Sequence, residues 1–103
     1  MSNLKLTEKD FTDLSGSLYR ASKILKSLSN QRRLEILTCL SEQELSVGQL
    51  ERKIKISQSA LSQHLGRLRR DDIVTTRREA QTIYYSLYNK KILDLLKSVR
   101  LAA

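Results

Sequence analysis

The segment SQSALSQHLGRLRR, residues 57 to 70, combines small hydroxyls, amides and arginines in a stretch with helical periodicity. Leu61, Leu65 and Leu68 recur at that period and predict the buried side of a helix. The opposite face then carries groups suited to base edges. Glutamine can pair bidentately with adenine, arginine with guanine, and serine with either base or with phosphate. The predicted DNA contacts on this helix are Gln58, Ser59, Ser62, Gln63 and Arg67.

A second basic element follows at residues 73 to 88. Its segments IVTTRR and QTIYYSL are rich in β-branched and aromatic residues, which predicts two strands joined at residues 79 and 80. Arg77, Arg78 and Gln81 lie near the predicted tip. Because arginine suits the narrow, electronegative minor groove, we expect these three residues to contact that groove or its phosphates.

The remaining chain supplies the elements that position these residues. Apolar periodicity predicts helices at residues 7–28, 30–41 and 46–54 before the helix at 57–70, and another from residue 89 onward. Residues 42–45 are predicted as a loop, and residues 55–56 as a tight turn. Four polar residues are placed to cap the later helices, and Gln49 stands at a capping-box spacing. The predicted caps are Asn30, Ser46, Ser57 and Asn89.

Length and charge limit the class of protein. The chain has 103 residues, which predicts one domain, and a net charge of +8, which favours an acidic partner. Eight Lys or Arg stand against two acids between Arg52 and Arg78, so the charge is concentrated at the predicted DNA-contact elements. No apolar run approaches a membrane helix, and the single cysteine suggests a reducing cytosol. No paired-carboxylate, Ser-His-Asp or phosphate-loop motif supports an enzyme, and no cofactor is expected.

Four segments together resemble the ArsR/SmtB family of winged-helix repressors, most closely its BigR/SqrR/HlyU-like branch. They are LKSLSNQRRLEILTCL, ELSVGQL, SQSALSQHLGRLRRDDIV and TRREAQTIYYSL, and the resemblance covers about residues 20 to 88. It implies a mainly α fold with a β-hairpin wing, a winged helix-turn-helix in the order of four helices, two strands and a last helix. Residues 1–103 then form one DNA-binding domain, with the helix-turn-helix at 46–70 and the wing at 73–88.

The resemblance also implies a partner and a role. Residues 1–28 and 89–103 would pair across the two-fold axis of a homodimer. Two recognition helices would then span an imperfect palindrome in double-stranded DNA. The expected function is a transcriptional repressor, or an anti-silencer of virulence genes as in HlyU-like members, acting in the bacterial cytosol.

The signal that such a regulator would sense is less constrained. Ser46 and Gly48 stand where thiolates of the family's Cys-Val-Cys metal site would be, and the last helix offers only Asp94. Zinc requires three or four nitrogen or sulfur donors, so no metal site is predicted. In the BigR-like branch, a cysteine on the second helix works with another that would align at or just beyond Ala103. Cys39 matches the first and is the redox candidate, although a buried cysteine can be simply a small hydrophobe.

Two alternatives remain open from the residues. A polar helix face can be merely solvated, and a basic winged helix can serve as a protein- or RNA-binding module without sequence-specific DNA binding. His64 borders the leucine stripe and is predicted to pack or bond to backbone rather than to hold a ligand.

Overall fold

Five α-helices and a three-stranded antiparallel sheet make up the fold, which the computed structural model describes for residues 6–103. The helices are α1 Glu8–Leu28, α2 Gln31–Leu40, α3 Val47–Ile54, α4 Gln58–Arg70 and α5 Lys90–Ala102. The strands are β1 Leu45–Ser46, β2 Val74–Glu79 and β3 Thr82–Leu87. The predicted architecture, mainly helical with a β-hairpin wing, is confirmed.

Short polar side chains begin the helices, as the sequence predicts. The side chains of Asn30, Ser57 and Asn89 accept hydrogen bonds from backbone N–H groups in the first turns of α2, α4 and α5. Ser46 and Gln49 form a reciprocal capping box at the start of α3. Such caps satisfy donors that have no partner within the helix, typically contributing about 1 kcal/mol each.

The sheet contains a strand that the sequence does not predict. A loop is expected at residues 42 to 45, but Leu45–Ser46 is β1, paired antiparallel with β3 opposite Tyr85 and Tyr84. The prediction is wrong here because two residues are too few to show strand periodicity. Their pairing depends on β3, which is remote along the chain. As a result, β3 lies between β1 and β2 and attaches the wing to the segment that enters α3.

The core joins the helix-turn-helix to the rest of the domain. Leucine and isoleucine side chains from α2, α3, α4 and α5 form one cluster with Leu45, Ile73 and Val74. Leu61, Leu65 and Leu68, the stripe predicted for α4, are almost fully buried in it. Burial of a leucine side chain contributes about 1.5–3 kcal/mol, so this stripe fixes the outward direction of the opposite face of α4.

Helix α1 is packed very differently. Only its C-terminal end is buried, at Ser27 and Leu28, whereas every residue from Phe11 to Lys23 is exposed. Apolar residues between Phe11 and Leu25 recur at alternating spacings of three and four. This is the pattern that lines the contact between two paired helices. They are Phe11, Leu14, Leu18, Ala21 and Leu25. We call these five residues the α1 stripe.

Candidate nucleic-acid interface

A three-residue turn joins α3 to α4 in the geometry of a helix-turn-helix. Helix α3 ends at Ile54, Lys55 adopts the left-handed conformation with φ of 57°, and Ser57 caps α4. The left-handed conformation of Lys55 turns the chain sharply at a single residue. L residues adopt this conformation at a cost of about 1–2 kcal/mol. The tight turn predicted at residues 55–56 is therefore confirmed.

The N-terminal half of α4 presents an exposed polar surface. Four of the predicted contact residues are exposed, and their side chains make no hydrogen bond within residues 6–103. These residues are Gln58, Ser59, Ser62 and Gln63. Their amides and hydroxyls offer donors and acceptors in the combination that reads base edges in the major groove. We call these four residues the α4 reading face.

Arg67 is placed differently from the rest of the predicted set. It follows Gln63 by four residues and His64 by three, so it lies at the border between the outward face and the side packed on α2. Its side chain is 34% exposed, and its Nε lies 3.5 Å from the Asp71 carboxylate. That Nε is buried without a hydrogen-bond partner among the described residues. Arg67 is therefore only partly exposed, because Asp71, one turn later, attracts its guanidinium, and its predicted DNA contact stays a prediction.

His64 belongs to the scaffold of α4. Arg33, near the start of α2, donates from Nε to the carbonyl oxygen of Ser27, and its Nη1 lies 3.4 Å from His64 Nδ1. Burial lowers the pKa of His64, and the nearby Arg33 and Arg32 lower it further. A lowered pKa favours the neutral imidazole, the form in which Nδ1 can accept from Arg33. This arrangement ties the junction of α1 and α2 to α4.

The wing brings the other three predicted residues to its outer end. Gln81 and Ala80 form the turn between β2 and β3, one position later than predicted. Arg78 is exposed, and its Nε donates to the Ala80 carbonyl at 3.2 Å. Arg77, in contrast, is held by two carboxylates, those of Glu44 and Glu79. Arg78 thus uses only its Nε within the described part of the chain and forms no ion pair there, whereas Arg77 is already engaged by two carboxylates.

Cys39 lies on α2 beside an open depression of about 510 Å³. The thiol is half-buried against the core cluster. Burial raises its pKa, which the positive charge of Lys53 lowers and the carboxylates of Glu42 and Glu35 raise. Since the thiolate is the reactive form, these surroundings favour a small packing residue over a nucleophile.

Two residues that shape this interface do not stand out in the sequence. Arg33 and Glu44 contact partners 31 and 33 positions away, so no local spacing indicates them. Among residues 6–103, no three His, Cys, Asp or Glu side chains are grouped as a metal site would require. The same residues include no helix with the length and apolar character needed to cross a bilayer.

Comparison with known proteins finds one matching family and several similar regulators. Residues 30–76 match the family described as bacterial regulatory protein, arsR family. The transcriptional activator HlyU of Vibrio cholerae is 42% identical over 97 residues, which cover 94% of this chain and 90% of HlyU. The nodulation protein NolR of Rhizobium meliloti is 49% identical over 76 residues, 74% of this chain and 62% of NolR. The chain thus spans less than two thirds of NolR.

Solved structures show the same fold. Reduced HlyU from Vibrio cholerae superposes with a TM-score of 0.79 at 44% identity, covering 86% of this chain and 95% of HlyU. The transcriptional repressor BigR from Xylella fastidiosa superposes with a TM-score of 0.78 at 37% identity, covering 94% of this chain and 96% of BigR.

Proposed function

The chain belongs to the ArsR family of bacterial DNA-binding transcription regulators, and we propose that it reads its operator as a homodimer in the bacterial cytosol. The observation that carries this proposal is the α4 reading face, four exposed side chains with base-pairing chemistry and no partner within residues 6–103. Arg78 and Gln81 at the wing tip would add contacts to the minor groove or its phosphates.

The α1 stripe supports the homodimer. A helix with its residues exposed from Phe11 to Lys23 gains little from its own domain, and isolated helices of such length are marginal in water. Phe11, Leu18 and Leu25 are each more than half exposed, as is Leu101 on α5. A second copy of the chain, offering the same stripe, would cover these residues across a two-fold axis.

A two-fold dimer determines the form of its operator. Two copies of α4 related by the axis would enter successive major grooves on one side of the duplex. The matching sequence is an imperfect palindrome, with half-sites separated by about one helical turn, roughly 34–36 Å.

The α4 reading face is tested by substitution of Gln63. We expect Gln63→Ala to weaken specific DNA binding by at least about tenfold, since one bidentate base contact is worth ~1–3 kcal/mol and the dimer loses two. Gel-shift titration would use the duplex upstream of the protein's own gene against a random duplex of equal length. Gln43→Ala, an exposed glutamine outside the helix-turn-helix, is the matched control. Unchanged specificity in Gln63→Ala would refute the assignment of the α4 reading face.

Repression is the proposed outcome of binding, and activation by relief of silencing is the second candidate. Similarity to BigR, a named repressor, favours the first, and similarity to HlyU, a named activator, favours the second. A reporter driven by the bound promoter separates them. Deletion of the gene would raise reporter output if the protein represses and lower it if the protein activates.

A response to reactive sulfur or oxidants through Cys39 is the remaining element of the proposal. The raised pKa of the thiol argues for slow reaction at neutral pH. DNA affinity measured with and without polysulfide, in the parent protein and in Cys39→Ser, decides the matter. The same response in both proteins would exclude Cys39 from sensing.

A further inference from the structure

One arginine of the wing, Arg77, contacts three side chains of the protein while staying half exposed. Arg77 donates from Nε and Nη2 to the Glu44 carboxylate, at distances between 2.7 and 3.1 Å, and from Nη1 to Glu79 at 2.9 Å. Its guanidinium carbon lies 4.7 Å from the ring centroid of Tyr84. A bidentate carboxylate and an aromatic face are the partners that best match a guanidinium.

These partners come from different segments of the sheet. Tyr84 on β3 lies opposite Arg77 on β2 and opposite Ser46 on β1. Glu44 comes immediately before β1, the strand that leads into α3. We call Arg77, Glu44, Glu79 and Tyr84 the Arg77 cluster. Through Glu44, which precedes Arg77 by 33 residues, the cluster joins the outer strand of the wing to the start of the helix-turn-helix.

The charge of the cluster argues against direct DNA contact by Arg77. One guanidinium stands between two carboxylates, so the group carries a net negative charge and its partners raise the pKa of Arg77 further. A phosphate approaching Arg77 would have to displace Glu44 and would meet Glu79. Arg78, the next residue, forms no ion pair within residues 6–103 and lies at the wing tip.

We propose that Arg77 is a positioning residue, which holds the wing at a fixed orientation to the helix-turn-helix through Glu44 and Tyr84, while Arg78 makes the phosphate contact. This inference rests on the proposed DNA-reading function. A fixed wing would let the α4 reading face and the wing tip engage the duplex together without a separate ordering step.

The salt dependence of DNA binding tests this division of roles. Each phosphate contact contributes about 0.9 to the slope of log affinity against log salt. We expect Arg78→Ala to reduce the slope by about 2 per dimer and Arg77→Ala to leave it unchanged. At fixed salt, Arg77→Ala and Glu44→Ala should each weaken binding by a similar factor, about two- to fivefold, with no further loss in the double variant.

Amide hydrogen exchange of the DNA-free protein provides a second, independent measurement. Exchange across β2 and β3 should accelerate in Arg77→Ala and Glu44→Ala but not in Arg78→Ala. Two results would overturn the proposal: a reduced salt slope in Arg77→Ala, or tighter DNA binding by Glu44→Ala, as expected if Glu44 merely competes with phosphate. If the parent protein shows no preference for its own upstream duplex, the proposed function fails, and the exchange data still decide whether Arg77 fixes the wing.

Discussion

Leu18 lies at the middle of the α1 stripe, and its truncation is expected to weaken self-association of the chain. Its side chain is 53% exposed, and neighbouring residues of α1 from Phe11 to Lys23 are exposed as well. Leu18→Ala therefore removes apolar surface that lies outside the core cluster of the protomer. Its effect should appear in the dimer rather than in the domain.

The size of the effect follows from the exposed fraction. Complete burial of a leucine side chain is worth about 1.5–3 kcal/mol, so the half still exposed in the protomer corresponds to ~1 kcal/mol. A two-fold dimer contains Leu18 twice, so Leu18→Ala should cost ~2 kcal/mol, or about 30-fold in the dimer dissociation constant.

Sedimentation equilibrium over a range of protein concentrations measures that constant directly. Ile83→Ala is the matched control, because Ile83 is also a large exposed apolar residue, 40% exposed, but lies on the wing. Its dimer constant should stay within about twofold of the parent value, the spread expected for a residue outside the interface. An unchanged constant for Leu18→Ala, or an equal loss for Ile83→Ala, would show that the α1 stripe does not mediate dimerisation.

Three further perturbations have defined outcomes. Gly66→Ala should raise the free energy of unfolding by about 0.5–1 kcal/mol, because glycine is unfavourable inside a helix. A Cβ at this position would meet no atom within 4 Å. Thermal unfolding measures the change, and a loss of stability would contradict the prediction. Because the folded pKa of His64 is lowered, the unfolded chain binds more protons, so stability should fall as pH decreases through about 6.5. Denaturant titrations from pH 7.5 to 5.5 should show this dependence in the parent protein and a weaker one in His64→Gln. Alkylation of native Cys39 should be slower than in urea-unfolded protein, since burial raises the pKa of its thiol, and equal rates would contradict that.

Most of the architecture could be predicted from local patterns. The leucine stripe of α4, the caps at Asn30 and Ser57, and the turn after Ile54 all depend on residues within one or two helical turns. Such signals survive in sequence because capping and amphipathicity are short-range effects. They suffice to locate the α4 reading face and the wing along the chain.

The features that local patterns miss share a different physical origin. Strand β1 exists because Leu45 and Ser46 pair with β3, about forty residues later, and neither residue has a strand pattern of its own. Likewise, Glu44 pairs with Arg77 and Arg33 with His64 only after the chain has folded. Side-chain pairing between distant segments depends on tertiary packing, and sequence periodicity carries no record of it.

The same distinction applies to the positive charge. Eight Lys or Arg between Arg52 and Arg78 correctly indicate an acidic partner, but the count does not say which of them are available to it. Arg67 and Arg70 lie 3.5 and 3.9 Å from the Asp71 carboxylate, and Arg77 lies 2.7 Å from Glu44. Carboxylates of the protein already oppose these three guanidiniums, so a phosphate would gain less from them than from an unpaired cation. On the proposed function, Arg78 at the wing tip would attract phosphate, and the uncharged α4 reading face would discriminate between bases.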